Sequence, residues 1–192
     1  MKPILPSCIF GLFAVPVLLS CGSNSATQAV VLRNVIYNGS FELPSVDTSN
    51  ALKPFITYTL GTDGPTGWTA SNVDLVFRTL WPAANGSQSI DLNAQSAGWI
   101  KQVVSTQASG DYALVFAYAA NPAMSELPLL KKFRVLWNGI PVETLQVTAT
   151  ATIAWSRDTV HLKARGSDTL EFESLVGGNA GAALDDVSLI GP

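Results

Sequence analysis

The chain has 192 residues, with 11 basic and 14 acidic side chains and a formal net charge of −3. This slight acidic excess disfavours a nucleic-acid surface, which would need a basic stripe. Charged residues make up only 13% of the chain, and Thr, Val, Gly and Asn are common. That composition favours β-structure connected by polar loops.

The first 20 residues are typical of a secretory signal. One positive charge at Lys2 precedes an apolar run, Ile4–Leu19, that is interrupted by two prolines. The run is short for a membrane-spanning helix, which needs about 20 apolar residues. We expect residues 1–20 to be removed on export, leaving residues 21–29 as a polar tether.

The end of this run, Leu18-Leu19-Ser20-Cys21, resembles the lipobox of bacterial lipoproteins. The resemblance implies cleavage just before Cys21 and a diacylglycerol on its sulfur. About two acyl chains are enough for stable membrane anchoring. Gly22 rather than an aspartate follows the cysteine, which in Gram-negative lipoproteins implies an outer-membrane location. The alternative is an ordinary cleaved signal whose tail happens to contain a cysteine.

Residues 30–192 are predicted to form one all-β domain. Apolar residues alternate or cluster in short runs bounded by Gly, Asn, Asp and Pro, and no convincing amphipathic helix occurs. The predicted strands are Val30–Tyr37, Phe55–Leu60, Trp68–Ala70, Val73–Arg78, Gln88–Asn93, Gly98–Thr106, Gly110–Ala119, Lys131–Trp137, Ile140–Thr150, Thr159–Ala164, Thr169–Leu175 and Ala183–Ile190. With so many short strands, the sequence predicts a jelly-roll β-sandwich.

Three connections stand out between these strands. Asn138-Gly139 is the dipeptide favoured in two-residue hairpin turns, in which both central residues need positive φ. Residues 165–168, Arg-Gly-Ser-Asp, form a second hairpin connection. The segment Pro122–Pro128 is irregular, and we expect it to be an exposed loop at one rim of the sandwich.

Two acidic residues near the ends of the domain suggest a calcium site. Strand alternation places Ala183, Asp185, Val187 and Leu189 on one apolar face. A carboxylate on such a face needs a cation or several donors, and Ca²⁺ binds carboxylate and carbonyl oxygens. Glu42 is the natural second ligand, with backbone carbonyls in the turn from Asn38 to Ser40 as additional ones. The alternative is that both carboxylates are solvated at strand ends.

Six short motifs occur in an order that resembles a known family. They are Asn38–Glu42, Gly67-Trp68, Ile90–Asn93, Gly98–Gln102, Tyr112–Leu114 and Ala183–Leu189. This series looks like the bacterial choice-of-anchor C family and its relatives among plant cell-wall domains of unknown function. These families are similar to galactose-binding-like carbohydrate-binding modules, and the resemblance covers about residues 35–190.

The resemblance implies a jelly-roll fold and a structural calcium ion held by Glu42 and Asp185. The family's Asp-Asn pair is here Asp185-Asp186, which leaves Asp186 as a possible alternative ligand. The family's Gly-Asn-Pro stretch appears as residues 120–122, Ala-Asn-Pro, which leaves the specificity for a ligand open.

Catalytic residues are not expected. His161 is the only histidine, so a zinc site built on a histidine pair is excluded, and no Gly-x-Ser-x-Gly elbow is present. A pair of carboxylates for glycoside hydrolysis stays open, because only their separation in space decides it. A glycan-acting hydrolase is therefore the least favoured function.

Aromatic residues point instead to carbohydrate binding, because sugar rings stack on Trp and Tyr while Asn binds hydroxyls. Trp68 and Trp99 lie in apolar patterns and are expected in the core. The candidates for ligand contacts are Trp81, Tyr118, Asn121, Trp137 and Trp155, each with peripheral packing as its alternative. Trp81 is the one expected to be best exposed. The predicted function is non-catalytic binding of a cell-wall or extracellular polysaccharide; the alternative is a structural or protein-interaction module of the envelope.

Overall fold

The computed structural model describes residues 31–47 and 54–192. The predicted signal and the whole predicted tether, including Cys21, lie outside these residues. Within them the chain forms twelve strands and no helix. The strands are β1 (Arg33–Asn34), β2 (Phe55–Tyr58), β3 (Thr69–Ser71), β4 (Val73–Phe77), β5 (Gln88–Asp91), β6 (Trp99–Ser105), β7 (Asp111–Ala120), β8 (Leu130–Trp137), β9 (Ile140–Thr148), β10 (Ser156–Lys163), β11 (Ser167–Ser174) and β12 (Ala182–Gly191).

The strands form two antiparallel sheets that pack face to face. The larger sheet has the order β10-β7-β12-β5-β4-β2, with β1 added beside β12; the smaller has the order β3-β6-β11-β8-β9. Apart from their ends, all twelve predicted strands are present, so the predicted β-sandwich is confirmed. The largest difference is in the first strand, which is predicted over eight residues but pairs only through Arg33 and Asn34.

The core lies between the sheets and is aromatic at its centre. Phe116 of the larger sheet makes edge-to-face contacts with Phe172 and Phe133 of the smaller one, with ring centroids 5.1 and 6.4 Å apart. All three rings are fully buried. Such pairs add about 0.5–1.5 kcal/mol to the free energy gained from apolar burial, so this cluster fixes how the two sheets face each other.

The hairpin turn at Asn138-Gly139 has the predicted geometry, with φ values of 56° and 76°. The structure also joins this turn to the β10–β11 connection. The buried carboxylate of Asp168 accepts hydrogen bonds from Asn138 Nδ2 (2.7 Å), Thr106 Oγ1 (2.5 Å) and Arg165 N (2.9 Å). We call this set the Asp168 clamp, because one carboxylate holds three connections at the same end of the sandwich.

The predicted alternation along the last strand is wrong at its centre. The pairing of β12 with β7 shifts register between Asp185 and Ser188, and Asp186 has a positive φ of 49°. This bulge inserts one residue, which reverses the alternation. Leu184 and Val187 consequently both belong to the core. Asp185, next to Leu184, points away from the core to the outer face of the larger sheet.

No helix among residues 31–47 and 54–192 is both long and apolar enough to cross a membrane.

Candidate functional site

The connection between β4 and β5, residues 78–87, covers part of the outer face of the larger sheet. Two tryptophans attach it there: Trp81 Nε1 donates to Ser89 Oγ (2.9 Å), and Trp155 Nε1 donates to the Pro82 carbonyl (2.9 Å). We call residues 78–87 the covering segment. Trp81 is only 8% exposed, so the expectation that it is well exposed is wrong. Its indole is partly buried because it packs the covering segment onto the sheet.

The covering segment also brings together Glu42 and Asp185, which are far apart in sequence. Glu42 Oε1 accepts hydrogen bonds from the backbone N–H groups of Ser87 (2.8 Å) and Gln88 (2.9 Å). Asp185 Oδ2 accepts one from Asn85 N (2.9 Å). A Cβ atom on Gly86 would lie 2.4 Å from Glu42 Oε1, so only glycine lets the backbone approach this carboxylate so closely.

Asp185 and Asp186 have different electrostatic environments. Asp185 is fully buried, and burial raises the pKa of its carboxyl group to about 7 although three backbone N–H groups oppose the rise. Asp186 forms a hydrogen bond with Asn85 Nδ2 and an ion pair with Arg157. The hydrogen bond from Asn85 and the charge of Arg157 lower the pKa of Asp186. The charge of Asp186 is therefore already balanced, whereas the groups among the described residues that stabilise a charge on Asp185 are backbone N–H groups.

The turn before Glu42 was predicted to add backbone oxygens of Asn38 and Ser40 to a calcium site. The Asn38 carbonyl accepts hydrogen bonds from Trp68 Nε1 (3.1 Å) and Phe41 N (3.2 Å), which occupy its two lone pairs. Ser40 is half-buried. Among the residues that the structure describes, no group of three or more His, Cys, Asp or Glu side chains is arranged to hold a metal ion. Any calcium ion here would rest on Glu42 and Asp185 together with backbone oxygens.

A cavity of about 320 Å³ opens beside the covering segment, where it meets the loops that follow β7 and β9. Its lining is formed by Leu80, Trp81, Asn121, Pro122, Ala123 and Ala151. The predicted irregular loop from Pro122 onward thus borders the cavity. An indole, a proline ring and one side-chain amide are the kind of surface that receives a small polar ligand with apolar faces.

Asn121 is fixed in this cavity by a buried carboxylate. Its Nδ2 atom donates to Asp91 Oδ2 (2.6 Å), and its Oδ1 atom accepts from Ala123 N (2.8 Å). Asp91 Oδ1 accepts the N–H groups of Asn93 (3.0 Å) and Gly181 (2.9 Å). Burial raises the pKa of Asp91 to about 7, and the hydrogen bonds from Asn121, Asn93 and Gly181 oppose this rise. The amide therefore has one fixed orientation.

A buried lysine lies in the same region and was not singled out from the sequence. Lys131 is 0% exposed, and its Nζ donates to the Glu126 carbonyl (3.1 Å). Burial lowers the pKa of Lys131, while the charges of Asp91 and Glu126 oppose that fall. Alternation could have predicted its burial, because Lys131 has the same parity on β8 as the core residues Phe133 and Val135.

The structure separates the five candidates for ligand contacts. Trp81 and Asn121 meet in the cavity, and Trp155 supports the covering segment beside it. Tyr118 instead packs on the core rings of Phe116 and Phe133, with centroids 6.1 and 5.7 Å away. Trp137 does not line the cavity; it is 6% exposed, and its Nε1 donates to the Lys163 carbonyl (3.0 Å).

The two core predictions for tryptophan have different outcomes. Trp68 is buried, as predicted. Trp99 is only half-buried, so the prediction that it belongs to the core is wrong. The reason lies in the parity of β6: Ile100, Gln102 and Val104 point inward and are buried, which turns Trp99 and Lys101 to the outer face of the smaller sheet.

The fold is a β-sandwich of the kind found in carbohydrate-binding modules. The structure is similar to TmCBM61 in complex with β-1,4-galactotriose, with a TM-score of 0.51 and 19% identity over 82% of this chain and 97% of that one. It is also similar to the K1 cleaved adhesin domain of Lys-gingipain from Porphyromonas gingivalis, with a TM-score of 0.53 and 11% identity over 70% and 96% of the two chains. At these identities the likeness establishes the fold.

The chain itself belongs to the family described as protein of unknown function DUF642, which matches residues 34–189. It is also similar to halomucin of Haloquadratum walsbyi, with 29% identity over 197 residues that cover 98% of this chain. The match spans only 2% of halomucin. This family match supports the predicted relation to domains of unknown function. The choice-of-anchor C assignment and the lipoprotein signal remain predictions.

Proposed function

We propose that this protein binds carbohydrate without turning it over, and that its ligand is a cell-wall or extracellular polysaccharide. The observation that carries the proposal is the cavity that joins Trp81 to the fixed amide of Asn121. An indole offers a flat apolar surface to the C–H face of a sugar ring, while a fixed amide can recognise a hydroxyl group. The likeness in fold to carbohydrate-binding modules supports this choice of ligand.

Narrowing the cavity should weaken binding. Ala151 lines the cavity and is exposed, so Ala151→Leu adds bulk at its opening without disturbing the core. We expect the dissociation constant for the bound polysaccharide to rise at least about ten-fold, equivalent to about 1.4 kcal/mol. Isothermal titration calorimetry measures this change, after a glycan array in the presence of calcium has identified the ligand.

Ala154→Leu is the matched control, because Ala154 is exposed in the same loop and does not line the cavity. Both variants should unfold at the temperature of the natural chain. Equal affinities for all three proteins would show that the sugar does not enter the cavity. A glycan array with no bound polysaccharide would remove the proposal itself.

A calcium ion at the covering segment is a second part of the proposal. It is supported by the convergence of Glu42 and Asp185 on residues 85–88 and by the complete burial of Asp185. The ion would neutralise the buried carboxylate and join the two ends of the domain to the covering segment. Its role would be structural, since an ion bound only by the folded state stabilises that state.

Chelation is expected to lower the melting temperature by several degrees. At a calcium concentration about 100 times the dissociation constant, binding contributes about 2.7 kcal/mol to the free energy of unfolding. Differential scanning calorimetry with calcium and with EDTA measures the difference. It should vanish in Asp185→Ala and persist in Asp111→Asn, whose side chain is 86% exposed and remote in sequence from both ligands. The same melting temperature in calcium and in EDTA would contradict the calcium site.

The proposed location is the bacterial cell envelope, with a lipid on Cys21 and the outer membrane as destination. This part is supported by the lipobox-like sequence alone. Mass spectrometry of the mature N-terminus tests it, and an unmodified sulfur at Cys21 would contradict the lipid anchor.

A further inference from the structure

The outer face of the smaller sheet carries a row of polar and aromatic side chains around Trp99. The strand register places one residue of each strand side by side, in the order Ser71, Trp99, Glu173, Arg134 and Thr144. Neighbouring strands lie about 4.8 Å apart, so this row extends over roughly 19 Å. We call it the Trp99 row. It is separate from the cavity, which lies beside the covering segment of the other sheet.

The ring of Trp99 is held in place from two directions. Lys101, two residues along the same strand, has its Nζ 4.4 Å from the ring centroid. The loop after β2 also approaches the six-membered ring: a Cβ atom on Gly61 would lie 3.2 Å from Trp99 Cζ2. A cation over an indole contributes about 0.5–1 kcal/mol at an exposed site. The ring is therefore oriented before any ligand arrives, which lowers the entropy lost on binding.

The charges next to the ring are paired and balanced. Arg134 Nε donates to Glu173 Oε2 at 2.6 Å, and both side chains are about one-third exposed. In the adjacent register position Glu171 lies opposite Lys101. Burial raises the pKa of Glu171, which the charge of Lys101 opposes. Each cation beside the ring faces a carboxylate, and Lys132 on the same face of β8 adds one positive charge. This small net charge favours neither a strongly acidic nor a strongly basic partner.

We propose that the Trp99 row is a second binding surface for an extended, uncharged polysaccharide. One sugar ring stacks on Trp99, and the paired Glu173 and Arg134 exchange hydrogen bonds with hydroxyl groups of the next one. A paired carboxylate and guanidinium present fixed acceptors and donors without an uncompensated charge, which suits hydroxyl groups. This inference rests on the proposed carbohydrate-binding function. It adds a second binding surface and specifies that the ligand is uncharged.

The test measures binding of the full chain to four soluble neutral polysaccharides (β-1,4-galactan, xylan, glucomannan and mixed-linkage β-glucan) and to polygalacturonate as an acidic polymer. Trp99→Ala is expected to weaken binding to the preferred neutral polymer at least ten-fold. Glu173→Gln, which keeps the shape of a side chain that is about one-third exposed, should weaken this binding about three-fold. Val103→Ala is the matched control, because Val103 lies on the same strand and face and is 69% exposed.

The outcomes separate the two surfaces. The Trp99 row is supported if Trp99→Ala and Glu173→Gln both bind more weakly than the natural chain. The melting temperatures of Glu173→Gln and Val103→Ala should then be unchanged. The inference is overturned if Glu173→Gln and folded Trp99→Ala bind with full affinity while Ala151→Leu binds more weakly. The cavity is then the binding site. Preference for polygalacturonate overturns the uncharged ligand. Failure of the natural chain to bind any of the five polymers overturns the proposed function together with this surface.

Discussion

Replacing Phe41 by Ala is expected to lower the free energy of unfolding by about 3–5 kcal/mol. The Phe41 side chain is 0% exposed, and its ring centroid lies 5.3 Å from that of Trp68. Removing it leaves a cavity at the point where the N-terminal segment joins the sandwich. Since the free energy of unfolding of small domains is only about 5–15 kcal/mol, this single change should remove a large part of the stability. Urea or thermal unfolding measures the difference.

The same substitution should also loosen the surroundings of Glu42. The Phe41 carbonyl accepts a hydrogen bond from Gln88 Nε2 (2.6 Å), and Glu42 Oε1 accepts hydrogen bonds from the backbone N–H groups of Ser87 and Gln88. Leu43→Ala is the matched control: Leu43 is two residues away and 47% exposed, so its truncation should change stability by less than about 0.5 kcal/mol. Similar losses from both substitutions would show that Phe41 is not the apolar anchor of this segment.

Asp168→Asn is expected to destabilise the fold by roughly 3 kcal/mol at neutral pH. The carboxylate of Asp168 is 1% exposed and accepts all the hydrogen bonds of the Asp168 clamp. An amide of the same shape replaces one acceptor by a donor, which then faces Asn138 Nδ2 or the other donors. A buried donor without an acceptor loses its hydration and gains nothing in return. Chemical unfolding at pH 7 measures this loss.

The loss should depend on pH in a defined direction. Burial by itself raises the pKa of Asp168, but the hydrogen bonds from Thr106, Arg165 and Asn138 outweigh it, so the pKa in the folded state is below its usual value. A lowered pKa gives stability that is complete above the unfolded value near 4 and disappears as the pH falls through the folded value. The difference between the natural chain and Asp168→Asn should therefore shrink between pH 5 and pH 2.

Asp111→Asn serves as the control for this pH dependence, because its carboxylate is 86% exposed and its ion pair with Lys163 is solvated. Its stability curve should run parallel to that of the natural chain. A constant difference between Asp168→Asn and the natural chain at every pH would show that the loss of stability does not depend on the ionisation of Asp168.

Much of the fold could be read from local patterns. Alternating residues of β10 and β11, with Leu162 and Phe172 pointing inward, predict strands because one face of each must be buried. The Asn138-Gly139 turn is equally local, since both residues adopt positive φ at little steric cost.

The candidate site was only partly predictable. Glu42 and Asp185 were named from the sequence, and both contact the covering segment. The alternation used to place Asp185 was nevertheless wrong, because it assumes a regular strand and cannot foresee the bulge at Asp186. Asp91 and Asn121 lie 30 residues apart, and only the pairing of their strands with β12 brings them together.

Within the part of the chain that the structure describes, the sequence by itself determined the twelve strands, the hairpin turns and the polar segments that connect them, because these depend on interactions between near neighbours in the chain. Which aromatic rings lie inside was decided by the tertiary structure. Trp81 and Trp137 are covered by distant segments, whereas the inward neighbours of Trp99 turn its ring to the outer face. Burial of a side chain depends on what packs over it, and that is set by contacts between residues remote in sequence.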